Sequence, residues 1–159
     1  MAQGEVIAAV GAGRMGRGMA IAFAYAGHEV VLIDAKHRDS TGFDALCAQV
    51  DAELRGTLGM LSGFGMLSET EIDSVLARIC TVALGDCASA LAGAAVIFEG
   101  VPEVMEAKRD AFAMISEHAS AEAIVASTTS TILSNDLQGF VTHPERFLNA
   151  HWLNPAFLV

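Results

Sequence analysis

The chain has 159 residues, of which 53% are hydrophobic, and a formal net charge of -10 at pH 7. This length suits one domain with a substantial core, and the hydrophobic content excludes a disordered chain. The acidic balance, with a pI near 4.7, argues against nucleic acid or an anionic membrane as a partner, because either would require a basic face. No apolar run approaches about 18 residues, and no basic segment precedes the first strand, so the sequence predicts neither a membrane span nor export.

The cysteines point to a reducing compartment. Cys47, Cys80 and Cys87 are an odd number of residues and lack the spacing of metal ligands. They are typical of reduced thiols in the core of a cytoplasmic protein, so we expect a cytoplasmic location and no metal site.

A glycine-rich turn follows the first strand. Residues 6–10 form a uniformly apolar run that is typical of a buried strand in a parallel sheet. Gly11, Gly13 and Gly16 then complete G-x-G-x-x-G. The first glycine permits the tight turn, the second lets a pyrophosphate approach the backbone, and the third lets the following helix pack closely on the sheet. The stretch therefore predicts a dinucleotide-binding turn.

A helix begins directly after the second glycine. Apolar residues recur at steps of three and four from Met15 until Gly27 ends the pattern. The free amides and the positive end of this helix would face the phosphates of the dinucleotide. We therefore expect Arg14 and Met15 to lie beside the cofactor together with the glycines.

An acidic residue ends the second predicted strand, residues 29–33. Asp34 stands where a ribose hydroxyl pair needs an acceptor, and its charge would repel the extra phosphate of NADP. Lys36 and Arg38 are close enough to soften this preference, which favours NAD. The residues leave open a glycine turn with a solvated aspartate and no ligand. A nucleotide-triphosphate loop is a poorer match, because residues 17 and 18 are Arg and Gly where that motif needs Lys and Ser or Thr.

The rest of the chain alternates between helices and strands. One predicted helix carries Phe43, Leu46, Val50 and Leu54 along one face and ends among glycines 56 to 65, and a second begins at Ser68 with a capping box to Glu71. The remaining predicted strands are residues 81–84, 95–99, 123–127 and 147–150, with helices at 86–92 and from 101 to about 118. The pattern predicts an α/β fold of the Rossmann type, with a doubly wound, mostly parallel sheet and a helical-pair excursion after the second strand.

Polar residues follow the ends of the predicted strands. They comprise the glycine turn, Asp34, residues 99–103, residues 127–131, and His151 with Asn154. Because the carboxyl ends of parallel strands share one edge of the sheet, a single crevice could collect them.

The ordered set GAGRMGRGMAIAFA, FEGVPE, STTST and RFLNAHWLNPAF resembles the NAD-binding domain of the L-3-hydroxyacyl-CoA dehydrogenase family over essentially the whole chain. The resemblance implies NAD as cofactor, a role in fatty acid metabolism, and His151 as the catalytic base. It matches Asn154 and Ser130 to the family's residues at the reacting hydroxyl. Glu103 and Lys108 match positions along the cofactor, and we expect both on the same helix.

Residue chemistry agrees with this assignment. Oxidising a secondary alcohol needs a proton acceptor, and imidazole titrates in the right range. Ser130 and Asn154 can hold the substrate oxygen by hydrogen bonds. Without the resemblance, a histidine such as His151 is more often a hydrogen-bonded structural residue. Residues 129 and 131 could merely cap the next helix, and Lys108 could pair with Glu103 or Asp110 on a solvated helix.

The resemblance also implies a larger assembly. It implies that residues 1–159 correspond to one NAD-binding domain, and we expect the family's helical domain, which completes the substrate cleft and forms the homodimer, to be missing from this chain. We expect a homodimer for the full-length form. The chain alone is expected to bind NAD and to have largely lost turnover.

Three alternatives to an acyl-CoA substrate remain open. The helical pair from 39 to 79 holds seven acidic residues against two arginines, which suits CoA phosphates poorly. A small free 3-hydroxy acid, such as gulonate or carnitine, is therefore a second possible substrate. The opening GAGRMGRGMA with AGHEVVLID is similar to 3-hydroxyisobutyrate-type dehydrogenases, although the motifs at 99–103 and 151–154 argue against them. A non-catalytic NAD-binding module, like the lens crystallin related to the family, is the third reading.

Overall fold

Six strands form one parallel sheet in the structure, a computed structural model that describes residues 4–157. The spatial order is β3-β2-β1-β4-β5-β6, and every neighbouring pair is parallel. The order reverses between β1 and β4, so the carboxyl ends of these two strands flank a switch point of the kind that binds ligands in open α/β sheets. The strands are β1 (Val6–Val10), β2 (Glu29–Ile33), β3 (Ile79–Val82), β4 (Val96–Glu99), β5 (Ile124–Ser127) and β6 (Phe147–Asn149).

Helices cover both faces of the sheet, which confirms the predicted fold class. They are α1 (Arg14–Tyr25), α2 (Ser40–Gly63), α3 (Glu69–Leu76), α4 (Cys87–Ala92), α5 (Met105–His118) and α6 (Ser134–Gln138), with short 3-10 turns at Leu84–Asp86 and Pro144–Arg146. Alternate residues of β1 serve the two faces: Ile7 and Ala9 pack with α1 to α3, whereas Ala8 and Val10 pack with α4 to α6. This two-sided burial explains why β1 is apolar throughout.

The helical pair after β2 forms as predicted. α2 continues through two glycines because Leu54, Leu58 and Leu61 lie buried on one face, and it ends at Gly63. Ser68 then forms the predicted capping box, with its amide donating to Oε2 of Glu71 at 2.7 Å.

Two element boundaries differ from the prediction in ways that affect the site. β3 spans residues 79–82, two positions before the predicted strand, because Ile79 pairs with Val30 of β2. α5 begins at Met105, so the expectation that Glu103 and Lys108 share this helix is wrong. A tight turn, closed by the Val104 amide donating to Pro102 O at 2.7 Å, precedes the helix and leaves Glu103 in the connection after β4. Among the helices of residues 4–157, none combines the length and the apolar character that crossing a bilayer requires.

Candidate functional site

The glycine turn lies at the switch point. Gly11 has φ +112°, a conformation that side chains rarely adopt, and a Cβ there would lie 2.8 Å from the carbonyl oxygen of Gly100 after β4. A Cβ on Gly16 would collide with Gly11 O and lie 2.9 Å from Leu32 Cδ1. A Cβ on Gly13 would meet nothing within 4 Å. Two glycines are therefore required by the protein's own packing, whereas the third faces open space, which fits a bound pyrophosphate.

The two residues between Gly13 and Gly16 point in different directions. Met15 is half-buried and packs against the core shared by α1 to α3. Arg14 is exposed in the first turn of α1, and within residues 4–157 its guanidinium has no hydrogen-bond or ion-pair partner. Arg17, one turn later, has partners for its side chain. Its Nε donates to Ala12 O at 2.9 Å, and its guanidinium forms an ion pair with Glu53 of α2.

Asp34 lies at the carboxyl end of β2, as predicted, and is only 3% exposed. Its Oδ2 accepts from Nε of Arg38 at 2.5 Å, and its Oδ1 accepts from the Lys36 amide at 3.3 Å. The carboxylate is thus held at the strand end by a cation four residues later. Arg38 contacts the acid directly, whereas the contact made by Lys36 comes from its backbone.

A buried ion pair supports the carboxyl ends of β4 and β5. Lys108 and Glu99 are both 0% exposed, and Lys108 Nζ lies 3.0 Å from each carboxylate oxygen of Glu99. Ser127 Oγ donates to Glu99 at 2.6 Å, and the Val101 amide donates at 2.9 Å. The expected solvation of Lys108 is therefore wrong, although its alternative pairing with Glu103 is present, with Nζ 3.2 Å from Oε2. Sequence reasoning gave Glu99 no role of its own, although a carboxylate at the end of an apolar strand was a signal that it needed a buried partner.

Glu103 holds the loop after β5. Its Oε1 accepts from Thr129 Oγ1 at 2.5 Å, from the Ser130 amide at 2.9 Å, and from the amide and hydroxyl of Thr131 at 2.9 and 3.0 Å. Its Oε2 lies 3.2 Å from Lys108 Nζ. Partial burial acts to raise the pKa of Glu103, but the bonds from Thr129, Thr131, Lys108 and Ser130 outweigh it and lower this pKa to about 2.

The loop brings Ser130 to His151. Ser130 Oγ lies 2.9 Å from His151 Nε2, and both residues are exposed. β5 and β6 are neighbouring parallel strands, paired through Ser127 and Asn149, so the segments that follow them run side by side. The arrangement places a hydroxyl and an imidazole in contact at the solvent-facing edge of the crevice, where they can share a proton with a bound hydroxyl group.

Asn154, the third predicted catalytic residue, is exposed on the wall of a cavity of about 350 Å³. α1, α2 and the segment after His151 enclose this cavity, and Arg14 and Arg17 line it together with Asn154. Ala156 closes its base against Gly18, where an added Cβ would lie 2.9 Å from Ala156 Cβ. Asn154 thus shares this cavity with the two arginines. Across residues 4–157, no three His, Cys, Asp or Glu side chains converge in a way that could hold a metal ion.

Comparison with known proteins agrees with this geometry. The sequence model of the family described as 3-hydroxyacyl-CoA dehydrogenase, NAD binding domain, matches residues 6–159. A 3-hydroxybutyryl-CoA dehydrogenase of Bradyrhizobium diazoefficiens is 32% identical over 154 residues, which cover 96% of this chain and 49% of the relative. The 5-formyl-3-hydroxy-2-methylpyridine 4-carboxylate 5-dehydrogenase of Mesorhizobium japonicum is 31% identical over 159 residues, covering 96% of this chain and 46% of the relative.

A solved structure gives the same result. FadB2 of M. tuberculosis superposes with a TM-score of 0.85 at 26% identity, covering 99% of this chain and 52% of that one. The chain spans about half the length of the Bradyrhizobium and Mesorhizobium relatives. On the strength of the family match and these likenesses, the chain belongs to the 3-hydroxyacyl-CoA dehydrogenase family as its NAD-binding domain, and its cofactor is NAD.

Proposed function

We propose that the protein oxidises the 3-hydroxyl of an L-3-hydroxyacyl substrate to the 3-keto group, with His151 as general base. The contact that carries this proposal is the 2.9 Å pair between His151 Nε2 and Ser130 Oγ at the crevice edge. A CoA thioester such as 3-hydroxybutyryl-CoA is one candidate substrate, in line with the name of the Bradyrhizobium relative. A free 3-hydroxy acid is the second candidate, favoured by the arginines of the cavity beside Asn154.

His151 and Ser130 divide the work at the reacting hydroxyl. The Ser130 hydroxyl and the Asn154 amide hold the substrate oxygen by hydrogen bonds, and the imidazole accepts its proton. In the reverse direction, protonated His151 donates to the forming alkoxide. NAD, when bound across the switch point, supplies the hydride acceptor. General acid-base catalysis of this kind contributes about 10²-fold to 10⁴-fold, and positioning accounts for most of the rest.

We assign cofactor binding to residues that follow β1, β2 and β4. Gly11, Gly13 and Gly16, with the backbone of Arg14 and Met15, would hold the pyrophosphate. Asp34 would accept from the adenosine ribose. Glu103 would lie near the nicotinamide end, where it already accepts from the Ser130 amide at 2.9 Å. Lys108 is buried and would act behind it, through the 3.2 Å contact of its Nζ with Glu103 Oε2. The same carboxylate holds the Ser130 loop, so it would position the cofactor and the reacting hydroxyl relative to each other.

The test is NADH formation by the complete gene product with 3-hydroxybutyryl-CoA and with free 3-hydroxybutyrate. We expect His151→Asn to lower kcat by about 10²-fold to 10⁴-fold while the dissociation constant for NAD stays within twofold of wild type. His143→Asn, at an exposed histidine before β6, is the matched control and should retain full activity. Normal turnover by His151→Asn would contradict the proposal. A non-catalytic module would form no NADH with either substrate.

A further inference from the structure

We propose that the cavity between α1, α2 and the segment after His151 is a subsite for the carboxylate of the substrate, with Arg14 as its ligand. The inference rests on the proposed function, because it assigns the other end of a substrate that reacts at Ser130 and His151. It narrows the substrate class to one that carries a carboxylate close to the reacting hydroxyl.

The charges in the cavity single out Arg14. Arg17 is neutralised by Glu53 and is anchored to Ala12 O, so it forms a fixed wall. Arg14 has no such partner among the described residues. One uncompensated positive charge therefore faces this cavity in a chain whose net charge is -10. A guanidinium binds a carboxylate through two parallel N–H···O bonds, which makes an uncommitted arginine a natural carboxylate ligand.

The position of the cavity connects it to the chemistry. Asn154 lies on its wall, and the proposed function assigns the Asn154 amide to the reacting hydroxyl, so a ligand seated in the cavity would meet that amide. Ile21, Leu54 and Phe157 supply apolar wall that would contact a short carbon chain. A volume of about 350 Å³ lies at the small end of ligand pockets, which suits a small hydroxy acid.

The surroundings favour a carboxylate over a CoA phosphate. Glu53 stands on the cavity wall, and the α2–α3 region carries five further acidic residues in its helices: Asp44, Asp51, Glu69, Glu71 and Asp73. A phosphate carries more charge than a carboxylate and would be repelled more strongly by this surface. Within residues 4–157, Arg14 supplies one free guanidinium to the cavity wall, which matches one carboxylate.

The chain is first titrated with NAD in an isothermal titration calorimeter. The NAD-loaded chain is then titrated with 3-hydroxybutyrate, with its methyl ester and with 3-hydroxybutyryl-CoA, and the dissociation constants are compared. We expect the free acid to bind and the ester to bind at least tenfold more weakly. Arg14→Met should weaken binding of the acid by about tenfold to a hundredfold, the loss typical of a charged hydrogen bond. Arg14→Lys should restore part of the affinity. Arg109→Met, at an exposed arginine of α5, is the control and should bind the acid as wild type does.

Several outcomes would overturn the carboxylate subsite. These are absence of acid binding to an NAD-loaded chain, equal binding of acid and ester, and Arg14-dependent binding of the thioester without binding of the free acid. A loss of NAD affinity in Arg14→Met as large as the loss of acid affinity would place the side chain at the cofactor instead. Failure of wild type to bind NAD would contradict the proposed function, and the acid titration without cofactor would still report on Arg14.

Discussion

Ser130 and His151 are 21 positions apart in sequence, yet their side chains meet at 2.9 Å. The contact follows from the sheet, because Ser127 and Asn149 are paired in β5 and β6, and Ser130 and His151 lie three and two positions beyond these strands. Glu103 adds the second constraint by accepting from the Ser130 amide at 2.9 Å. The backbone of Ser130 is therefore held by Glu103, which is the preorganisation that the proposed role of the Ser130 hydroxyl would require.

Ser130→Ala tests whether this hydroxyl takes part in the reaction. We expect kcat/KM of the complete gene product to fall by about tenfold to a hundredfold, because one hydrogen bond to a charged or developing charge is lost. Binding of NAD should not change. Ser134→Ala, in the first turn of α6, serves as the control, and an unchanged kcat/KM in Ser130→Ala would remove Ser130 from the site.

Alanine substitutions of Gly13 and Gly16 should differ in their effects on NAD binding and on the free energy of unfolding. Gly13→Ala places its Cβ in open space at φ -85°, so we expect the free energy of unfolding to stay within about 1 kcal/mol of wild type. The same Cβ would occupy the space proposed for the pyrophosphate and should weaken NAD binding at least tenfold. Gly16→Ala would press against Gly11 O and should lower the melting temperature as well. Urea denaturation and calorimetry measure the two quantities, and full NAD affinity in Gly13→Ala would contradict the cofactor pose.

Asp34 should determine the choice between NAD and NADP. Its buried carboxylate would accept from the ribose hydroxyls and repel a 2′-phosphate. Asp34→Ala should weaken NAD binding by about tenfold to a hundredfold. It should also release Arg38, which contacts the carboxylate at 2.5 Å, so that this arginine can contact the phosphate of NADP. The ratio of the dissociation constants for NAD and NADP should therefore rise. Asp44→Asn, exposed on α2, is the control, and an unchanged ratio in Asp34→Ala would be incompatible with this role.

The fold was predictable because strand and turn signals in this chain are local. A few neighbouring residues are enough to predict the apolar run of β1, the glycine turn after it and the capping box at Ser68. The order of the strands follows from the doubly wound topology that such alternation produces. The predicted start of α5 and the predicted bounds of β3 were wrong. The start of α5 depends on a turn after Pro102, and the bounds of β3 depend on pairing with β2, and the local sequence pattern shows neither.

The support beneath the site was not predictable in the same way. Glu99, Lys108 and Ser127 come from β4, α5 and β5, and their hydrogen bonds exist only once these elements pack together. Motif reasoning placed Lys108 on a helix but could not distinguish a solvated cation from a buried one. The cavity of Arg14 and Asn154 has the same origin, since α1 and the segment after β6 are far apart in sequence.

Lys108→Met tests the buried pair. Removing the ammonium would leave Glu99 buried at 0% exposure without its cation, so we expect a loss of about 3–5 kcal/mol in the free energy of unfolding. The double variant Glu99→Gln with Lys108→Met removes both charges and should recover part of that loss. Urea denaturation of the chain gives both values. A Lys108→Met variant as stable as wild type would mean that the pair does not support the sheet edge.

Glu103 provides the pH dependence of this support. Its pKa in the folded chain is lowered from 4.5 to about 2, so its ionised form is favoured by folding. The stability that it contributes is fully present above about pH 4.5 and is lost as pH falls toward 2. Glu103→Gln keeps a carbonyl oxygen for the Ser130 and Thr131 amides but removes the titration. The difference in unfolding free energy between wild type and this variant should therefore be largest above pH 4.5 and shrink between pH 4.5 and 2. Urea denaturation across that range measures this difference, and Glu106→Gln on α5 is the control for loss of one carboxylate. A difference that stayed constant with pH would show that the carboxylate does not hold the Ser130 loop through its charge.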